Sequence, residues 1–233
     1  MKLRLILIST IYIFISNCTF KYNIHQYSNT SIDVSSNNID SNIINTIEPY
    51  KAGIDSIMNE VLCISNINMT KGRPESLIGN FVTDLCLQSF INEADICVLN
   101  NGGFRSEIKE GLVTRRDIYK LMPFDNELVI LNMDEQSYLA LIKYIIKRGG
   151  EPYSGMEIII DNQNNLKNDS INQITNIRLL TSDYLANGGD KMSFFKDKKQ
   201  IKTGYKLRDV IIDYCKNNDT ITAKLDNRFT IIE

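Results

Sequence analysis

The sequence predicts an α+β fold, a single layered domain over residues 48–233 with helices packed on mixed β-sheets. Three observations lead to this prediction: apolar residues recur at helical spacing in several segments, short apolar or β-branched runs lie between those segments, and the two kinds do not alternate as strict strand–helix–strand units. The chain has 233 residues, of which 43 % are hydrophobic and 23 % charged, which is ordinary for a globular protein.

Helical periodicity and capping residues predict five helices in chain order. The first opens the domain, and its predicted core face is formed by Tyr50, Ile54, Ile57, Met58 and Val61. The second has its core face at Leu77, Ile78, Phe81, Val82, Leu85 and Ile91. Thr114 and Asp117 form a capping box that opens a short helix, and Pro123 ends it. The fourth helix begins after a cap at Asp134 and ends at Gly149 and Gly150, and its core face is formed by Tyr138, Leu141, Ile142 and Ile145. The fifth has its core face at Leu207, Val210, Ile211 and Tyr214.

Short apolar or β-branched runs predict the strands. They cover residues 62–67, 96–99, 128–131, 158–160, 177–180 and 229–232. Two of these runs, 96–99 and 177–180, lead directly into glycine-containing loops.

The N-terminus has the pattern of a targeting segment over residues 1–18. Lys2 and Arg4 precede an apolar run, residues 5–15, that is too short to span a membrane comfortably. A cysteine follows at Cys18, as in bacterial lipoprotein signals, in which that cysteine is lipidated. An ordinary signal peptide or a short anchor is the alternative. Either interpretation predicts an exported protein, and the lipoprotein pattern predicts anchoring to the bacterial cell envelope, facing the periplasm.

Residues 19–47 are polar, rich in Asn and Ser, and without a sustained period, which predicts a disordered tether. The only histidine, His25, lies in this segment and is expected to be solvated.

The net charge and the cysteines bear on whether the chain binds nucleic acid, binds a metal ion or forms disulfides. A formal net charge of −2 provides no large basic surface, so nucleic acid is not an expected partner. Four cysteines follow Cys18, and none has metal-type spacing. An even number in an exported protein also fits disulfides, but we expect Cys63, Cys86, Cys97 and Cys215 to pack as small apolar residues, and we assign no disulfide.

The two loops combine glycine pairs with polar and aromatic residues. Residues 100–105 read Asn-Asn-Gly-Gly-Phe-Arg, and residues 182–190 read Ser-Asp-Tyr-Leu-Ala-Asn-Gly-Gly-Asp. Glycines allow a ligand to approach the backbone closely, the Arg105 fork suits phosphate or ribose oxygens, and the Asp190 carboxylate suits a sugar diol. Phe124 and Tyr184 add flat faces for a base. Together they predict a nucleotide-binding cleft built from loops.

Four ordered motifs resemble the 5′-nucleotidase C-terminal domain, the substrate-binding half of UDP-sugar hydrolases and ecto-5′-nucleotidases. Residues 75–80 resemble the family's early helix motif, residues 99–105 its L-N-G-G-G-I-R loop, residues 121–126 its L-P-F-G-N motif, and residues 183–190 its N-F-L-A-x-G-G-D motif. The resemblance covers the whole predicted domain and implies the fold of that family.

The resemblance also implies a role for each candidate residue. Phe124 and Tyr184 correspond to the two aromatic residues that sandwich the base, and Tyr184 replaces a residue that is more often Phe. Asp190 corresponds to the carboxylate that holds the ribose hydroxyls, and Asn100 to the amide that reaches the base edge. The remaining substrate-binding positions are Arg73, Gly102, Gly103, Arg105, Gly188 and Gly189.

Each of these residues also has a simpler explanation. Phe124 can be a core residue at a helix end, Tyr184 a packing residue beside a turn, Asp190 a turn residue and Arg105 a surface charge.

Full-length relatives also carry a metallophosphatase domain, whose chemistry needs two metal ions held by His, Asp and Asn. This chain lacks the corresponding histidine motifs, so we expect no catalytic residue, metal site or cofactor in it. We therefore expect a non-catalytic substrate-binding half of a split 5′-nucleotidase. Its predicted partners are a separately encoded metallophosphatase chain, which would hold the divalent metals, a nucleoside or nucleotide ligand, and a membrane through the lipid anchor. The alternative is a solitary nucleoside-binding lipoprotein for capture or sensing.

Overall fold

The structure, a computed structural model, describes residues 40–169 and 176–232. The chain divides into two units, Met1–Thr46 and Ile47–Glu233, and only residues 40–46 of the first are described. The predicted signal segment, Cys18 and His25 lie outside the described residues. Within the described ranges, no helix has the length and apolar character needed to cross a membrane.

The structure confirms the α+β class, with three mixed sheets and six α-helices in the described ranges. The helices are α1 (Ser41–Met58), α2 (Leu77–Ser89), α3 (Arg115–Leu121), α4 (Glu135–Lys147), α5 (Asp183–Ala186) and α6 (Leu207–Lys216). The strands are β1 (Val61–Ser65), β2 (Ile96–Val98), β3 (Gly111–Thr114), β4 (Glu127–Met133), β5 (Tyr153–Ser154), β6 (Ile158–Asp161), β7 (Leu166–Asp169), β8 (Ile177–Ser182), β9 (Gln200–Lys206), β10 (Thr220–Ile221) and β11 (Phe229–Ile232).

The largest sheet positions both glycine loops. Its strand order is β5-β2-β8-β4-β9, and β2 and β8 are adjacent and parallel, with Ile96 opposite Leu179 and Cys97 opposite Leu180. Adjacent parallel strands end at the same edge of a sheet. The loop after β2 and the loop after β8 are therefore brought side by side. Two three-stranded sheets, β10-β1-β3 and β11-β6-β7, complete the domain.

The five-stranded sheet is buried on both faces, which explains why its central strands are almost continuously apolar. Cys97, Leu128, Ile130 and Leu180 face one core cluster, which also includes residues of α2 and α6. The alternating residues Val98, Val129, Leu131 and Leu179 face a second cluster with Tyr138, Leu141, Ile142 and Ile145 of α4.

Local capping predictions agree with the structure. The Thr114 side chain accepts a hydrogen bond from the Asp117 backbone N–H while the Asp117 carboxylate accepts one from the Thr114 backbone, so both halves of the capping box are present. Asp134 caps α4 by accepting from the backbone N–H of Ser137, 2.9 Å away. Side-chain caps at these positions satisfy backbone donors that the first helical turn leaves unpaired.

The predicted core face of the first helix is wrong. α1 begins at Ser41, inside the predicted tether, and none of its described residues is buried. Tyr50 is 73 % and Ile57 60 % exposed. Within α1 only Asp55 and Met58 are half-buried, and Arg116 donates to Asp55 and, just after the helix, to Asn59. The apolar stripe is therefore left largely uncovered by the described residues.

Other differences concern short or polar segments. Ile91 lies beyond the end of α2 and is exposed, because the helix stops at Ser89. Five strands were not predicted, since they are only two to four residues long or largely polar: β3, β5, β7, β9 and β10.

The four cysteines after Cys18 are buried, as predicted for small apolar residues, and all four are free in the structure. All of them belong to the same core cluster. Burial raises the pKa of the Cys97 thiol well above its usual range, which keeps it protonated and unreactive.

Candidate functional site

A cavity of about 240 Å³ lies where the two glycine loops meet. Its lining residues are Asn100, Gly102, Gly103, Arg105, Phe124, Asn126, Tyr184 and Asp190. Apart from Asn126, each lining residue is one that the sequence predicts. Residues from three separate segments thus converge, as the order of the strands in the main sheet requires.

The first loop follows β2 and contains a short 3-10 turn, Asn101–Gly103. A Cβ on Gly103 would lie 3.0 Å from the Asn100 side-chain oxygen, and a Cβ on Gly102 would lie 3.3 Å from the Asn100 Nδ2. Neither glycine has a positive φ. The absence of a side chain at Gly102 and Gly103 therefore makes room for the Asn100 side chain. Neither position needs the backbone freedom of glycine.

The second loop follows β8, and Ser182 caps the short helix α5. Gly188 has a φ of 88°, a left-handed conformation that favours glycine. At Gly189 the requirement is space, because an added Cβ would lie 2.5 Å from Cε1 of Tyr184. The Tyr184 ring consequently lies close to the Gly189 backbone, and the residue is 45 % exposed and borders the cavity.

Asp190 joins the two loops. Its Oδ2 accepts a hydrogen bond of 2.5 Å from Nδ2 of Asn100, and its Oδ1 accepts one of 3.1 Å from the Tyr184 hydroxyl. The backbone N–H of Asp190 donates to the same hydroxyl oxygen at 3.1 Å. Each carboxylate oxygen can accept more than one hydrogen bond. Acceptor capacity for a ligand therefore remains on the Asp190 carboxylate.

Arg105 and Phe124 also line the cavity. The Arg105 guanidinium carbon lies 5.1 Å from the centroid of the Phe124 ring, within the range of a cation–π contact. Arg105 is exposed and Phe124 is half-buried. Phe124 thus packs against Arg105 and against the first core cluster, and it also borders the cavity.

Arg73 does not line the cavity. Its Nη1 donates to the backbone carbonyls of Arg148, at 2.6 Å, and Gly150, and its Nη2 donates to Oε1 of Glu151 at 2.8 Å. The geometry places Arg73 behind the first loop, where its guanidinium is occupied by protein acceptors.

Glu151 is a supporting residue that sequence reasoning missed. Its side chain is fully buried, and it binds Arg73 and Arg148 through Oε1. Its Oε2 accepts the backbone N–H of Asn101 at 2.8 Å, which anchors the first loop. The hydrogen bond with Glu151 raises the pKa of Arg148. The only sequence signal was a charged residue directly after the Gly149–Gly150 helix stop.

A larger cleft of about 430 Å³ lies elsewhere, and it is bordered by Asp84, Asp226 and Arg228. Arg228 makes two hydrogen bonds to each of these carboxylates. Arg228 and the two aspartates thus bind one another, so the smaller cavity is the better candidate for a ligand site. In residues 40–169 and 176–232, no three His, Cys, Asp or Glu side chains are grouped so that they could hold a metal ion.

Comparisons with known proteins agree with this architecture. The family model described as 5′-nucleotidase, C-terminal domain, matches residues 57–197. An apyrase of Tabanus yao is 22 % identical, and the match covers 82 % of this chain and 41 % of the apyrase. The solved 5′-nucleotidase precursor of Thermus thermophilus has a TM-score of 0.71 at 21 % identity and is matched over 81 % of this chain and 42 % of its own.

The NAD nucleotidase of Haemophilus influenzae has a TM-score of 0.64 at 17 % identity, over 83 % of this chain and 42 % of its own. This chain spans less than half the length of these three relatives. The family model covers more than half of the chain, from the end of α1 to the loop after the second glycine pair. The chain therefore belongs to the 5′-nucleotidase C-terminal domain family.

Proposed function

We propose that this chain is the non-catalytic substrate-binding half of a split 5′-nucleotidase. It binds the nucleoside of a nucleoside 5′-phosphate, and a separate metallophosphatase chain hydrolyses the phosphoester. The observation that carries the proposal is the convergence of two aromatic rings, an arginine, an amide and a carboxylate on one cavity of about 240 Å³. That volume lies just below the roughly 300–1,000 Å³ of typical small-molecule sites, which suits a single nucleoside.

The chemistry of the lining supports a role for each group. Phe124 and Tyr184, which both line the cavity, stack on a base, which every base allows because each has a flat π-face. The Asp190 carboxylate accepts hydrogen bonds from ribose hydroxyls, and the Asn100 amide offers a donor and an acceptor to a base edge. Arg105, exposed beside Phe124, donates to ribose or phosphate oxygens.

The need for a partner follows from the ligands that phosphoester hydrolysis requires. Two close divalent ions activate water and stabilise the charge on phosphorus, and imidazole and carboxylate groups are the usual protein ligands of such ions. The sequence contains one histidine, His25, which precedes the domain. We therefore place the divalent metals in the partner chain.

Exposed apolar residues support a protein partner. Ile47, Tyr50, Ile54 and Ile57 form an apolar stripe along α1, each more than half exposed. Ile64 and Leu112 lie opposite each other on β1 and β3 and are also exposed. Apolar surface of this kind is typical of protein interaction sites.

An activity assay with 5′-AMP tests the proposal. The purified chain should release no phosphate in added Mn²⁺, Co²⁺ or Zn²⁺. Addition of a metallophosphatase chain encoded beside it should produce activity that depends on Phe124 and Tyr184. Metal-dependent turnover by the lone chain, absent from a cavity variant, would refute the split enzyme. Adenosine binding without activity in any mixture would instead favour a solitary binding protein for capture or sensing.

We also propose that Cys18 is lipidated and anchors the chain to the bacterial cell envelope, facing the periplasm. The proposal is supported by the basic residues Lys2 and Arg4 and by the apolar run before the cysteine. Mass spectrometry of the mature N-terminus tests it. A diacylglyceryl group on Cys18, lost in Cys18→Ser, is expected, whereas a mature chain that begins elsewhere would contradict it.

A further inference from the structure

Asp190 has an unusual backbone conformation for a residue with a side chain. Its φ is 48° and its ψ 29°, in the left-handed region, and Lys191 follows with a φ of 67°. Non-glycine residues adopt this region at an energetic cost, so it persists only where the surroundings hold it. The contacts around Asp190 therefore determine where its carboxylate points.

Two tyrosine hydroxyls supply most of these contacts. The Tyr144 hydroxyl donates to the backbone carbonyl of Asp190 at 2.8 Å. The Tyr184 hydroxyl accepts from the Asp190 backbone N–H and donates to Oδ1, each at 3.1 Å. A phenol can donate one hydrogen bond and accept others at the same time. Both backbone polar groups of Asp190 and one carboxylate oxygen are thus tied to tyrosines.

Tyr144 reaches Asp190 from outside the cavity. It lies on α4, its ring packs edge-on against Phe194 with centroids 5.9 Å apart, and the Arg148 guanidinium carbon is 6.0 Å from its ring centroid. Partial burial raises the pKa of Tyr144, so its hydroxyl remains a hydrogen-bond donor at neutral pH. It is not among the residues that line the cavity.

We infer that Tyr144 and Tyr184 are positioning residues that set the preference of the site for ribose over 2′-deoxyribose. This inference rests on the proposed function. The two hydroxyls hold the strained Asp190 backbone so that the carboxylate presents its oxygens to neighbouring sugar hydroxyls. The stacked base does not depend on that orientation. Loss of either hydroxyl therefore weakens recognition of the sugar and spares recognition of the base.

The test compares two ligands on the full-length protein. Tyr144→Phe and Tyr184→Phe each keep the ring and remove one hydroxyl, and Tyr205→Phe is the control, since Tyr205 is exposed on β9 and packs against Phe90 away from the cavity. Calorimetric titration with adenosine and with 2′-deoxyadenosine gives the ratio of the two affinities. Each site variant should lower the ratio of adenosine affinity to 2′-deoxyadenosine affinity by roughly three- to tenfold, the effect of one hydrogen bond. The change should come mainly from weaker binding of adenosine.

Several outcomes would overturn the inference. An unchanged ratio in both site variants, or an equal loss for the two ligands, would show that the hydroxyls do not act through the sugar. In an Asp190→Asn background the tyrosine substitutions should change the ratio no further, and a full additional effect would contradict the coupling. A wild-type chain that binds neither ligand would refute the proposed function, and the inference with it, which is a different result from binding without a change in ratio.

Discussion

The role of Phe124 in stacking is the most direct prediction about ligand binding. Phe124→Ala should weaken adenosine binding, because the half-buried ring lines the cavity beside Arg105. Loss of one stacking partner costs on the order of 1–3 kcal/mol per base. That corresponds to a factor of about 5 to 150 in the dissociation constant.

The same substitution also affects folding, and the two effects can be separated. A fully buried Phe→Ala change costs about 3–5 kcal/mol of unfolding free energy, so a half-buried ring should cost about half of that. Phe124→Leu is the matched control, because it restores most of the apolar volume and still lacks a flat face. We expect near-native stability and weak adenosine binding for Phe124→Leu.

Calorimetry with adenosine and urea unfolding of the same samples measure both quantities. Both Phe124 variants also remove the cation–π contact between Arg105 and Phe124, which is worth about 0.5–1 kcal/mol at an exposed site. This loss is therefore the same in the two variants. Adenosine affinity within a factor of about two of wild type in Phe124→Leu and in Tyr184→Ala would refute aromatic stacking, since that difference is below the weakest expected stack.

Three further predictions follow from the same geometry. Asp190→Asn keeps a residue type that tolerates the left-handed backbone but removes the charge, so calorimetry should show adenosine weakened more than 2′-deoxyadenosine; an equal loss would indicate a turn role. Glu151→Ala should lower the urea-measured unfolding free energy by about 2–3 kcal/mol, below the roughly 3–5 kcal/mol of a fully buried pair because both partner arginines are partly exposed, and it should weaken adenosine binding through the freed Asn101 N–H. If Glu151→Ala lowers the unfolding free energy but leaves adenosine affinity unchanged, Glu151 contributes to folding and not to the binding site. Thr114→Ala should cost about 1 kcal/mol of unfolding free energy through the lost cap and leave adenosine affinity unchanged; altered affinity would show that α3 contributes to the site.

Local chemistry in the sequence determined the features that depend on neighbouring residues. The capping pair Thr114 and Asp117 and the cap at Asp134 were predictable, because such a side chain can accept from backbone donors of the first turn, two or three residues along the chain. The central strands were predictable from their apolar runs. Most of the cavity lining was predictable too, since the glycine loops follow strands β2 and β8, whose parallel pairing places both loops at one edge.

Contacts between residues far apart in the chain were decided only by the tertiary structure. The apolar stripe of α1 predicted a buried face, but that stripe is exposed, and the helix is contacted at the flanking Asp55 by Arg116. Arg73 was expected in the site and instead bonds Glu151, while Glu151 and Tyr144 support the site without a recognisable sequence pattern. Periodicity specifies that a face is apolar, and composition specifies that a donor exists. Which group covers that face or accepts that hydrogen bond depends on the packing of segments that are dozens of residues apart.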